Sequence, residues 1–108
     1  MKKLIYHPKL YLGESMNYGD MVKIKAQFNI QPSKVDIFLI TRSMNEHDQL
    51  DIFHAKYLEQ KYYTDHPVYV FGMAKSKEEA INLIEKLMQE CITARGDANL
   101  TAYLKPEK

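Results

Sequence analysis

Between His47 and Tyr69 the chain gathers three of its four histidines, His47, His54 and His66. The same stretch holds four of its eight tyrosines: Tyr57, Tyr62, Tyr63 and Tyr69. Asp48, Asp51, Glu59 and Asp65 are interspersed. Imidazole titrates near neutral pH and a neighbouring carboxylate orients it, so this mixture suits general acid–base chemistry. His54 is the best single candidate. It ends a predicted strand, with Asp48 or Asp51 as the nearby carboxylate and Tyr57 as a hydroxyl partner. Against this, His54 shares strand parity with Leu50 and Ile52, which makes it a satisfied core or rim histidine. That second reading is the stronger one. His66 precedes Pro67 and reads as a turn residue. His47 reads as a solvated loop residue and His7 as an N-terminal surface residue.

The tyrosines have three readings. Each can bury its ring and keep its hydroxyl wet or bonded. Together, Tyr57, Tyr62 and Tyr63, flanked by His54 and His66, can form a binding surface, since tyrosine is enriched at interface hot spots. As stacking platforms for single-stranded nucleic acid they need interleaved cations. Lys56 and Lys61 flank Tyr57 and Tyr62, but Asp51, Glu59 and Asp65 cancel that charge. Core or rim comes first, interface second and stacking last.

Other chemistries lack their fixed spacings. Gly13, Gly19, Gly72 and Gly96 are too far apart for a phosphate-binding loop. No cysteine pair or HExxH pattern offers zinc, no acidic loop offers calcium, and no GxSxG elbow is present. No metal or cofactor is expected. The lone Cys91 excludes an intrachain disulfide, suits a reducing cytoplasm and reads as a buried thiol. With 15 basic and 14 acidic residues the net charge is +1, so nothing draws the whole molecule to a polyanion. Lys23, Lys25 and Lys34 form at most a small basic patch, and a solvated face explains them equally well. No apolar run reaches membrane-span length, and the run after Lys2-Lys3 stops at His7-Pro8, too soon for a signal peptide. A cytoplasmic, non-membrane protein is expected.

The elements that must position these residues begin with the length. The 108 residues, 45% hydrophobic and 27% charged, fit one domain over residues 1–108 with a real core. Ser76, with Glu79 at the third position, is a capping-box pattern. Ala80, Ile84, Leu87, Met88 and Cys91 then recur at helical spacing, with Ile81 beside them, until Gly96 stops the helix after Arg95. Val35–Thr41 and Val68–Ala74 are apolar on both parities, as interior strands are. Leu50–His54 is a shorter strand, paired as a hairpin with the run before it. Ala55–Tyr63 reads as a short helix. Ala98, Leu100, Ala102 and Leu104 alternate with polar residues, which predicts a final half-buried strand. A short strand is expected near Leu10–Leu12. Residues 18–30 fit both periods: Val22, Ile24, Ala26, Phe28 and Ile30 alternate, while Tyr18, Met21, Ile24 and Phe28 share a helical face. Helix is the preferred reading, capped by Asn17 or Asp20.

Several phrases, among them Lys9-Leu10-Tyr11-Leu12-Gly13-Glu14, Asp48-Gln49-Leu50-Asp51-Ile52-Phe53 and Tyr69-Val70-Phe71-Gly72-Met73-Ala74, span most of the chain. Through them it resembles uncharacterised small proteins of anaerobic Gram-positive bacteria. The resemblance favours a helix over residues 18–30 and implies no activity, ligand or catalytic residue.

These elements predict an α+β fold. It has a mixed or antiparallel sheet of four to five strands and one long C-terminal helix, in a ferredoxin-like or related split arrangement. Two helices can cover one sheet face; the other, carrying Phe38, Ile40, Tyr69 and Phe71, then calls for the short helix or a second subunit. A homodimer through that face is expected. The leading functional reading is a small binding or interaction module. The alternative is a small enzyme or small-molecule binder built on His54, Asp51 and Tyr57. A nucleic-acid-associated regulator comes last.

Overall fold

A computed structural model describes residues 4–31, 34–43, 49–59 and 67–104. Its elements are β1 (Leu4–Leu12), α1 (Tyr18–Ile30), β2 (Phe38–Arg42), β3 (Leu50–His54), a 3-10 helix (Ala55–Glu59), β4 (Val68–Ala74), α2 (Lys77–Arg95) and α3 (Leu100–Tyr103). The class is α+β. The four strands form one sheet in the order β1-β4-β2-β3. β1 runs parallel to β4, while β2 is antiparallel to both β4 and β3. The split is made by β4, which separates the first strand from the β2–β3 hairpin.

Residues 18–30 are helix because their start is capped. The Asn17 side chain accepts from the Asp20 N–H at 2.8 Å, and the Asp20 carboxylate accepts from the Asn17 N–H at 3.1 Å. This reciprocal box satisfies two donors that a helix start otherwise leaves open. Met21 and Phe28 then face inward at helical spacing and are buried, with Ile24 partly so.

The sheet is covered on both faces by the chain itself. On one side Met21 and Phe28 of α1 join Leu39, Val68, Val70 and Met73, with Ala55 and Leu58 of the 3-10 helix. On the other, Leu87 and Cys91 of α2 pack with Phe71 and Tyr69, and Ala80 and Leu83 pack with Ile40 and Phe38. The expectation of an uncovered apolar face is therefore corrected. α1 and α2 take opposite faces instead of sharing one, so the sheet gives no reason for a second subunit.

Two irregularities shape the central pairing. On β4, Gly72 aligns with Ile40 while Val70 aligns with Thr41, so Phe71 is an extra residue, a β-bulge. A Cβ on Gly72 would lie 3.1 Å from the Tyr11 carbonyl oxygen and 3.3 Å from both Ile40 Cδ1 and Leu83 Cδ2. Glycine is needed there for close approach. On β1, pairing to β4 shifts between Tyr6 and Tyr11. Pro8 falls in that gap, on an edge strand, where a missing N–H is tolerated. β1 thus runs from Leu4 to Leu12, longer than the predicted Leu10–Leu12.

The expected final strand is a helical turn. Gly96 takes φ 82° after α2 and reverses the chain. Asn99 then caps α3, accepting from the Ala102 N–H at 3.1 Å. Leu100 and Leu104 share a helical face as readily as a strand face, and both are buried with Phe71, Leu87 and Cys91. The side chain of Gln49 holds this turn against the start of β3. It donates to the Ala98 carbonyl at 3.1 Å and accepts from the Thr101 N–H at 3.1 Å.

Candidate functional site

The histidine singled out by spacing has both ring nitrogens engaged. His54 ends β3, opposite Phe38 in the register, and its ring meets Phe38 edge-on at 5.1 Å between centroids. Nε2 lies 2.8 Å from Asp36 Oδ1, and Nδ1 accepts from the Lys56 N–H at 3.0 Å. A carboxylate only accepts, so the proton sits on Nε2 and the Nδ1 lone pair is taken by the backbone. The carboxylate at His54 is Asp36, which spacing missed. It comes from the segment before β2 and reaches His54 because β2 pairs with β3. Asp51 projects from the other face of β3, since odd and even strand positions alternate, and accepts from Ser43 Oγ at 3.3 Å. Tyr57 stands on the 3-10 helix, 42% exposed, with Lys56 Nζ 5.3 Å from its ring centre. His47, Asp48, Tyr62, Tyr63, Asp65 and His66 lie outside the described residues. Among the described residues, no three of His, Cys, Asp or Glu gather as metal ligands do, and no helix is long and apolar enough to cross a membrane.

The described tyrosines are mostly bracketed by cations. Lys25 Nζ lies 4.4 Å from the Tyr6 ring centre, Lys9 Nζ 5.2 Å from Tyr11, and the Arg42 guanidinium 5.7 Å from Tyr69. Such contacts attract a cation to the ring face. They also engage Lys25, one of the three lysines of the expected basic patch. Burial pushes the Tyr6 hydroxyl up to about 12. His7, expected at the surface, is half-buried with its ring edge-on to Phe71 at 5.5 Å.

A second carboxylate works as a joint. Glu79, expected to close the cap on Ser76, instead accepts from the Ser15 N–H at 3.0 Å and the Lys75 N–H at 2.8 Å. It thereby joins the segment after β1 to the segment after β4, while Ser76 alone caps α2 by accepting from the Glu79 N–H at 3.1 Å. Those bonds, led by Ser15, hold its carboxyl below the usual range. Beside it an open groove of about 1070 Å3 runs along α2, lined by Leu12, Leu83 and Met88 and by Glu14, Glu78 and Glu85. His54 and Tyr57 do not line it.

The feature with the clearest capacity to bind is the outer side of α1. Tyr18, Val22, Ala26 and Ile30 recur every fourth residue and all four are exposed, the row running from the edge of the buried Met21 and Phe28 face at Tyr18, expected on that face, to its far side at Ile30. Tyr18 is 73% exposed and Ile30 77%. The one charged side chain among these outward positions is Lys23. α2 provides the contrast: its outward side carries Lys77, Glu78, Asn82, Glu85, Lys86 and Gln89. A helix facing only water is polar on that side. α2 follows this rule except at Ile81 and Ile92, which are 44% and 43% exposed, whereas α1 departs from it at Tyr18, Val22 and Ile30. The sequence signal is present in Val22, Ala26 and Ile30, which belong to the alternating pattern and fall off the helical face of Met21, Ile24 and Phe28. No protein family model, curated protein or solved structure matches this chain.

Proposed function

We propose that this protein is a small interaction module that docks a partner on the outer side of α1. The observation that supports the reading is the exposed stripe Tyr18, Val22, Ala26 and Ile30 on a helix whose opposite side is already buried. The stripe amounts to roughly 400 Å2 of apolar surface, within the range of the largest patches on monomers, which are often functional. Tyr18 supplies a large, rigid anchor of the kind that concentrates binding energy. The engaged nitrogens of His54 favour a module over an acid–base enzyme. Self-association, expected from the sequence through the sheet, moves in this reading to α1. The lone buried Cys91, whose Sγ donates to the Asp97 carbonyl at 3.2 Å, suits a reducing cytoplasm.

A photo-crosslinking amino acid placed at Val22 in the producing cell tests the reading. Covalent adducts are expected from position 22 and not from Asn82, on the solvated side of α2. Absence of any adduct from position 22, whatever its mass, would overturn it.

A further inference from the structure

The chain after α2 is held in place by side chains. Within residues 97–104 the backbone bonds are internal. The Leu100 N–H donates to the Ala98 carbonyl at 3.0 Å, Tyr103 to Asn99 at 3.1 Å and Leu104 to Leu100 at 2.8 Å. A single turn is far below the ~12–15 residues at which an isolated helix holds itself, so α3 keeps its shape only while docked. Among the described residues, every hydrogen bond from this segment to another element has a side chain at one end. Gln49 provides two, to Ala98 and Thr101, both exposed to competing water. Tyr103 reaches Glu90, and the Cys91 thiol reaches the Asp97 carbonyl. Arg95 pairs with Asp97 across Gly96, a local and exposed contact.

The apolar attachment is also small. Leu100 and Leu104 sit on Phe71, Leu87 and Cys91. Met21, Phe28, Leu39, Val68, Val70 and Met73, on the other face of the sheet, form a separate cluster. Lifting residues 97–104 therefore breaks no sheet ladder and leaves that cluster whole. Glu90 keeps Tyr11 and Lys9 when Tyr103 leaves, so no carboxylate is stranded. At the other end Gly96 has φ 82°, and a Cβ there would meet no atom within 4 Å. Nothing packs against that pivot. A segment with so few buried contacts opens more readily than the whole fold.

We infer that residues 97–104 are a strap hinged at Gly96, which swings off the folded protein as one unit and uncovers Cys91 and Phe71. The sheet, α1 and α2 stay folded while it is open. The strap thus controls access to the single thiol of the chain. The inference is independent of the docking role of α1.

The rate at which an aromatic disulfide reagent, 5,5′-dithiobis(2-nitrobenzoate), labels Cys91 in the folded protein tests this. Labelling is expected to be faster than global unfolding allows, with a weaker urea dependence, because opening exposes little surface. Gln49→Ala removes two bonds and should raise the rate by about fivefold. Tyr103→Phe should raise it in the same direction. Phe28→Leu, in the opposite cluster, should lower the melting temperature and leave the labelling rate unchanged. Far-ultraviolet spectra confirm that each variant is folded. Labelling no faster than global unfolding, or with its full urea dependence, overturns the inference. So does a rate that Gln49→Ala and Tyr103→Phe leave unmoved, or one that Phe28→Leu raises as much as they do.

Discussion

The Tyr11 hydroxyl donates to Glu90 Oε1 at 2.9 Å and so ties the edge strand to the long helix. Tyr103 donates to the same oxygen at 2.8 Å from α3, and Lys9 Nζ lies 3.6 Å away. One carboxylate thus joins three elements. Bonds to an ionised acceptor are stronger than neutral ones. Partial exposure keeps each at the low end of its range, so Tyr11→Phe is expected to cost about 1 kcal/mol. A double-mutant cycle with Tyr103→Phe, read by urea unfolding, is expected to show coupling, because both hydroxyls share one acceptor. Strictly additive losses would show that the two bonds act independently.

Stability should fall on the acid side. Hydrogen bonds from Tyr103, then Tyr11, with the Lys9 charge nearby, hold the Glu90 carboxyl below its usual range, as Ser15 and Lys75 do for Glu79. A depressed folded value contributes stability above the unfolded glutamate value of about 4.3, and this is lost as pH falls through the folded value. Melting temperature should therefore be flat near neutrality and drop below about pH 4.5. Glu90→Gln and Glu79→Gln should each flatten part of that drop. An unchanged acid profile in both variants would assign it to other carboxylates.

The alkaline side has the opposite origin. Burial raises Tyr6 to about 12, and burial together with Glu90 raises Tyr11. A raised folded value contributes stability that is whole below the unfolded tyrosine value of about 10 and is lost as pH climbs toward the folded one. Urea midpoints measured upward from about pH 9 should fall steeply, and less so in Tyr6→Phe. Equal slopes in the two proteins would rule out Tyr6 as the source.

Gly72→Ala should destabilise the fold by about 1–3 kcal/mol, the usual cost of overpacking. The new methyl meets the Tyr11 carbonyl oxygen at 3.1 Å, and backbone yields less readily than a side chain. Gly13→Ala should also destabilise, because the added Cβ overlaps the Glu79 carboxylate and drives it off Ser15 and Lys75. A neutral result for Gly72→Ala in thermal unfolding would mean that β1 can shift away from β4.

The long helix α2 was legible because its signals agree: a Ser76 cap, an apolar stripe and Gly96 at the end. α1 was ambiguous for a physical reason. A helix apolar on both sides has no contrast between faces, so its residues also satisfy a strand pattern, and the Asn17–Asp20 box decides. The outward apolar residues that made the strand reading plausible are the ones now assigned to docking. Leu100 and Leu104 misled similarly, since a spacing of four serves both periods; the tertiary contacts with α2 and Gln49 select the turn. At His54, spacing along β3 identified the imidazole but not its carboxylate, because Asp36 arrives through strand pairing. Pairing partners far apart in sequence leave no local trace.

The position of β4 between β1 and β2 has a consequence for how the molecule assembles. β1 is made first, yet the strand beside it in the sheet comes after the 3-10 helix. The β2–β3 hairpin closes through local contacts, whereas β1 must wait for a parallel neighbour whose pairing encloses most of the intervening chain. Such non-local parallel pairing is slow and leaves edges open while it is pending. Arrival of β4 supplies both missing ladders at once, so completion of the sheet is expected to be the late, cooperative step.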